Sequence, residues 1–153
     1  MLDAKEVRFL APMTGGNKHH LTIADSGAFT SVVNSSKDAV PGSIRTNTLA
    51  VATANGTVVP PLKCDIMYPL GMADGTVKQL LLRDVLIMET CAHTLISLGR
   101  LAQDSECGTV LEPGGSAYLY FKDGSRAPLM NCGVVLMPDV DNKWPERAAA
   151  FAV

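Results

Sequence analysis

The chain has 153 residues, 47% apolar and 18% charged, with 13 basic and 15 acidic residues for a formal net charge of −2. That length suits one domain with a substantial core, and the apolar fraction excludes global disorder. No run of Lys or Arg offers a basic face to nucleic acid, and the apolar runs are far too short for a membrane-spanning helix.

The first residues, Met1-Leu2-Asp3-Ala4-Lys5-Glu6, carry an early acid and no apolar h-region, so no signal peptide is expected. A cytoplasmic, reducing location follows as the expectation. With it, Cys64, Cys91, Cys107 and Cys132, which contain no Cys-x-x-Cys pair, are expected to be free thiols. His19, His20 and His93 with Cys91 match no structural-zinc spacing.

In chain order, residues 6–10 are a candidate first strand and Thr14-Gly15-Gly16-Asn17 a turn. His20-Leu21-Thr22-Ile23-Ala24 alternates polar and apolar, as a half-buried strand does. Ser31-Val32-Val33 continues as a strand or turn, and residues 35–43, with their Ser, Asp, Pro and Gly, as a loop. Residues 48–54 are β-branched and alternating, and Asn55-Gly56 is the strongest hairpin signal in the chain. Thr57-Val58-Val59 leads out of it until Pro60-Pro61 breaks the strand or confines it to an edge.

A strand resumes over residues 62–68, Asp74-Gly75 marks a second hairpin, and residues 77–88 are apolar with Lys78, Arg83 and Asp84 interposed. Leu95, Leu98, Leu101 and Ala102 predict a short helix over residues 93–103, weakened by Gly99. Residues 109–111, 117–122 and 133–137 are later strands, Asp123-Gly124 makes a third hairpin, and the tail 139–153, polar and then Ala-rich, is a frayed helix. Short strands at regular spacing, with no longer repeat, predict an all-β sandwich or barrel carrying one short helix.

Chemistry concentrates at Asp25-Ser26-Gly27-Ala28, which follows directly on the strand through Ala24. Alone, Asp-Ser-Gly is ordinary turn chemistry. Here an apolar strand delivers the carboxylate to a tight turn and a small residue follows, which gives a fixed backbone with little bulk around it.

Leu21-Thr22-Ile23-Ala24-Asp25-Ser26-Gly27-Ala28 resembles the active-site segment of retropepsins, the aspartic proteases of retroviruses and retrotransposons. Val51-Ala52-Thr53-Ala54-Asn55-Gly56-Thr57 is similar to the flap hairpin as Copia-type elements write it. Leu82-Arg83-Asp84-Val85-Leu86-Ile87 resembles the "dVLyvP" strand of Copia polyproteins, and Thr94-Leu95-Ile96-Ser97-Leu98-Gly99-Arg100-Leu101 their "NLlSvgkL" segment. The ordered resemblance runs over residues 21–111, 91 of 153.

The resemblance implies a protease domain over residues 19–112, an N-terminal segment 1–18 and a β-rich C-terminal extension and tail 113–153, the last similar to the spacer after the protease in some Copia-type polyproteins. Two departures stand out. Phe29-Thr30 replaces the polar residues that often follow the motif, and Met88-Glu89-Thr90 lacks the usual proline.

The sequence contains a single Asp-Ser-Gly. Aspartic proteases hydrolyse with two carboxylates sharing one proton, since like charges that close cannot both ionise. The second carboxylate must then come from a second copy across a two-fold axis. The family resemblance thus implies a retropepsin-like closed barrel or sandwich that forms a homodimer, with Asp25 catalytic, one copy drawing a proton from water and the other donating to the scissile carbonyl.

By the same resemblance Ser26 holds the turn across the dimer, Gly27 offers its carbonyl to the peptide and Ala28 keeps the floor small. Ala54, Asn55 and Gly56 form the flap tip over the substrate, Leu98 lines a side-chain pocket, Gly99 permits close approach, and Arg100 is structural. The implied substrate is an extended polypeptide of a retrotransposon polyprotein, with no cofactor and no metal, in the cytoplasm or in virus-like particles within it. Two other readings stay open. One is a catalytically inactive module of the same shape that binds peptide or dimerises; the other is a precursor whose extension blocks dimerisation.

Overall fold

The computed structural model describes residues 20–53 and 56–138. The expected strand at 6–10, the flap-tip residues Ala54 and Asn55, and the helical tail 139–153 lie outside them. Twelve strands and one helix follow one another among the described residues: β1 (Thr22–Asp25), β2 (Val32–Val33), β3 (Arg45–Thr46), β4 (Val51–Thr53), β5 (Gly56–Val58), β6 (Leu62–Gly71), β7 (Val77–Ile87), β8 (Thr94–Ser97), α1 (Leu98–Asp104), β9 (Gly108–Leu111), β10 (Ala117–Tyr120), β11 (Arg126–Asn131) and β12 (Val135–Leu136).

Ten of the strands form one mixed sheet in the order β3-β6-β7-β2-β8-β1-β12-β11-β10-β9, and β4 with β5 forms a separate hairpin. The mostly-β class with one short helix is as expected, but the barrel does not close. β3 and β9 stand at opposite ends of the sheet order and no pairing joins them. The sheet curls instead. Ala117, Leu119, Phe121, Ala127 and Leu129 of the C-terminal strands pack in one core with Ile66, Leu70, Leu80 and Leu82 of β6 and β7. The Ala73 N–H donates to the Arg126 carbonyl at 2.8 Å, fastening the β6–β7 turn to β11.

Turn chemistry sets the hairpins. Met72–Thr76, Glu112–Ser116 and Phe121–Ser125 close alike: the first residue donates to the fifth, and the fourth, a glycine, donates back to the first. Gly75, Gly115 and Gly124 take φ of 87°, 100° and 87°, where a side chain is strained. In two of the turns an aspartate fixes the geometry, Asp74 accepting from Thr76 and Asp123 from Ser125.

The centre of the sheet is built differently. β1 runs parallel to β8, pairing Thr22 with Thr94 through to Asp25 with Ser97, and β2 runs parallel to β7. Strand alternation sorts their side chains onto two faces. Ile23, Val32, Leu86, Leu95 and Leu136 share one core with Val51 of β4, while Ala24, Val33, Val85, Ile87 and Ile96 belong to the larger core on the other side.

The helix expected over 93–103 is shorter and later. Leu95 and Ile96 lie in β8, buried at 1% and 0% on opposite faces, and α1 starts only at Leu98. The Leu95–Leu98–Leu101 spacing thus crosses a strand–helix junction. Ser97 sets it, capping the helix by accepting from the Arg100 N–H at 3.1 Å. All four cysteines are free thiols, Cys64 and Cys107 buried, Cys91 and Cys132 half-buried.

Candidate functional site

Asp25 ends β1, the strand that the alternating pattern predicts. It is 1% exposed, on the face that Ile23 occupies two residues earlier. Its Oδ1 accepts the Gly27 N–H at 2.8 Å, while Oδ2 is buried with no hydrogen-bond partner. A buried carboxylate oxygen left this way costs free energy that folding alone gives no reason to spend. The turn beyond it is open: Ser26 and Gly27 are exposed, whereas Ala28 returns to the core at 4% and Phe29 packs against it half-buried.

Residues 28–31 are tied down by the strands beside them. Ser97 Oγ donates to the Ala28 carbonyl at 2.6 Å, and the Ser97 N–H donates to Ser31 Oγ at 3.0 Å. Thr30 Oγ1 donates to the Asp84 carbonyl at 3.0 Å, and the Leu86 N–H to the Ser31 carbonyl. Ser31, Thr30 and Ser97 are all buried.

The β4–β5 hairpin stands on the same side of the sheet. Val51 is fully buried in the core that holds Ile23 and Leu95, which is the Asp25 face. Val51 pairs with Val58, Ala52 with Thr57 and Thr53 with Gly56. Gly56 opens the outgoing strand at φ 113°, and Thr53 Oγ1 donates to its carbonyl at 2.8 Å. Ala54 and Asn55, expected at the tip, fall outside the described residues.

Leu98 is half-buried and packs against the larger core. Gly99 is exposed, and a Cβ there would meet only Ser97 Oγ at 3.8 Å, so within one chain no close approach demands a glycine. Arg100 pairs with Asp104 at 2.8 Å along the helix and reaches Asp84 at 3.8 Å.

In the sequence Asp84 is a charge interrupting a strand and part of the segment that resembles "dVLyvP", and neither gives it a role. It sits beside a register shift between Cys64 and Ile66, at φ 54°, and gathers Arg45 at 2.6 Å and Lys63 at 3.3 Å. The Arg45 hydrogen bond, followed by that of Lys63, holds its carboxyl below the usual range against the opposing effect of burial. Asp65 joins the cluster, accepting from Arg45 and from the Asp84 N–H. A charge inside an apolar run, flanked by Arg83 and followed by β-branched residues, is the one sequence signal for such a bulge. Ser97 left a clearer signal: a serine directly before Leu98-Gly99-Arg100-Leu101 is a helix-start pattern.

A cavity of about 450 Å³ opens on the opposite face of β1 and β8, against Thr22, Thr94, Ile96 and Tyr68, and Asp25 does not line it. At its rim His20 meets Thr94 Oγ1 at 2.7 Å, and nearby His93 accepts the Leu21 N–H through Nδ1 at 3.0 Å. Burial, with the charge of His20 second, pushes the His93 imidazole down to about 4. Among the described residues no group of three His, Cys, Asp or Glu side chains is placed to hold a metal ion. Against known protein families, curated proteins and solved structures the chain finds no match.

Proposed function

We propose that the chain is one half of an aspartic endopeptidase of the retropepsin type, which cleaves extended polypeptide with a pair of Asp25 carboxylates formed across a homodimer. The observation that carries this reading is the Asp25 side chain itself. It ends a buried strand, is held through Oδ1 by Gly27, carries an unpartnered Oδ2, and lies on the sheet face over which the β4–β5 hairpin stands.

A second copy of the same carboxylate is the group that such an oxygen suits. Two carboxylates in contact cannot both stay ionised, so they share a proton. The ionised member then takes a proton from water while the other donates to the scissile carbonyl, and the tetrahedral product of water addition collapses with loss of the amine. The hairpin covers the peptide and excludes water. The half-buried Phe29, standing where the family often has a polar residue, favours the alternative of a non-catalytic module of the same shape.

Asp25→Asn tests the reading. Asn keeps an acceptor for the Gly27 N–H, so stability shifts by less than ~1 kcal/mol. Cleavage of a pool of internally quenched decapeptides is lost in the variant, and a statine-type transition-state mimic inhibits cleavage by the unmodified protein. Cleavage that survives in D25N removes the assignment. Sedimentation that finds only monomer at high concentration, with no cleavage, favours the non-catalytic module or the precursor whose extension blocks dimerisation.

A further inference from the structure

Ser97 holds a buried strand position that Val or Ile would fill at less cost. Its side chain is 0% exposed, and it stands directly opposite Asp25 in the parallel β1–β8 pair. A buried hydroxyl is tolerated where both its donor and acceptor capacities are used. Here they are. Oγ accepts the Arg100 N–H at 3.1 Å, so its single proton goes to the Ala28 carbonyl at 2.6 Å. The Ser97 N–H meanwhile donates to Ser31 Oγ at 3.0 Å. A helix cap needs only the acceptor. The donation to Ala28 adds nothing to the helix; it pins the loop that follows Asp25.

We propose that Ser97 is a positioning residue for Asp25, fixing the backbone of residues 28–31 so that Gly27 stays in place to hold the carboxylate. The proposal rests on the reading of Asp25 as the reacting group. The chain of contacts is short: Ser97 Oγ fixes Ala28, Ala28 adjoins Gly27, and the Gly27 N–H holds Asp25 Oδ1 at 2.8 Å. Without the hydroxyl, the exposed pair Ser26-Gly27 is no longer anchored at its far side. The carboxylate keeps its strand but loses a fixed orientation, and a misdirected catalytic group lowers turnover far more than substrate binding.

Amide hydrogen exchange by NMR tests this in the unmodified protein, S97A and S97T. Leu119 on β10, fully buried and remote in the chain, reports general loosening. The expected result is that S97A speeds exchange at Gly27 at least tenfold beyond any change at Leu119, and that S97T, which keeps the hydroxyl, returns Gly27 to within threefold. On the quenched decapeptides S97A lowers kcat about tenfold or more with KM changed less than threefold. Equal acceleration at Gly27 and Leu119 overturns the proposal, and so does an unchanged kcat in a protein whose loop has loosened. A wild-type protein that cleaves no peptide sinks the proteolytic reading by itself, and the exchange ratio still decides whether Ser97 holds the loop.

Discussion

The sheet centre around β1 and β8 and the meander β9–β12 are made of the same strands by opposite means. At the centre, Ile23 and Ala24, Val32 and Val33, Leu95 and Ile96 are buried in consecutive pairs, because both faces of the sheet are covered. Partners there lie far apart in sequence, Thr22 opposite Thr94 and Val32 opposite Leu86. In the meander, Ala117 and Leu119 alternate with Tyr118 and Tyr120, and Ala127 and Leu129 with Arg126 and Pro128, one face in and one face out. Its strands pair with their chain neighbours through tight turns. The centre thus holds the candidate site but cannot form locally, and the meander forms locally but holds no part of that site. Strand pairing joins them where β12 meets β1 at Ile23 and Leu136, with the Met137 N–H donating to the Thr22 carbonyl, and their side chains share the larger core, Leu119 and Leu129 with Ala24 and Ile96.

Cutting that join gives the largest effect. A chain ending at Glu112 removes Leu119, Phe121, Leu129, Leu136 and Met137 from the cores. At roughly 1.5–3 kcal/mol for each buried side chain, those five match the ~5–15 kcal/mol that holds an ordinary domain together. It also strips β1 of one of its two neighbours, on the strand that delivers Asp25. The truncated chain is expected to show no cooperative urea transition by circular dichroism. A cooperative transition of normal amplitude would make the meander a mere appendage and the centre self-sufficient.

His93 probes the centre alone. Free imidazole titrates near 6.5 and the folded one at about 4, because burial disfavours the cation. Between those values the unfolded chain binds a proton that the native one refuses, so stability is full above pH 6.5, falls as pH drops, and stops falling below about 4. The loss is up to about 3 kcal/mol. His93→Asn keeps an acceptor for the Leu21 N–H but does not titrate. Urea unfolding at pH 7 and pH 4 should show the native protein losing that much more than H93N, the carboxylates contributing equally to both. Parallel pH profiles for the two would mean that this imidazole titrates alike in both states.

The two regions were unequally legible. In the meander, Asp123-Gly124 announced its hairpin and residues 117–122 the strand before it, which the structure ends at Tyr120, since both signals are local. β11 was obscured by Pro128, which a strand with two neighbours excludes; β12 reaches only Met130 and Asn131, so at Pro128 the strand has one partner and needs no N–H on the other side. At the centre, the Asp25 motif stood out by resemblance, yet β8 was hidden in a false helical period. Leu95 and Ile96 are buried for different cores, and a one-dimensional pattern cannot separate two faces that are both apolar. The bonds of Ser97 to Ala28 and Ser31, and the ion pairs of Asp84 with Arg45 and Lys63, depend on pairings across tens of residues, which composition and spacing do not encode.

The smallest effect belongs to the meander, and its sign is informative. Gly108 pairs with Tyr120 across β9 and β10, and the tyrosine ring lies over the space a Cβ at position 108 would occupy. Gly108→Ala must push the ring aside. Tyr120 is 46% exposed, so the ring can swing toward solvent, and the cost is about 1 kcal/mol, at the low end for an overpacked contact. With the ring removed by Tyr120→Ala, the same G108A change meets no obstacle and gains the ~0.5–1 kcal/mol that Ala holds over Gly in a strand. The double-mutant cycle by urea unfolding is thus expected to reverse the sign of G108A between the two backgrounds, a coupling of about 1.5–2 kcal/mol between residues in contact. A G108A effect that is the same in both would show that the ring does not rest on the glycine. On the meander's outer face, cross-strand support would then fall to pairs such as that of Arg126, whose guanidinium lies 4.5 Å from the Tyr118 ring centre across β10 and β11.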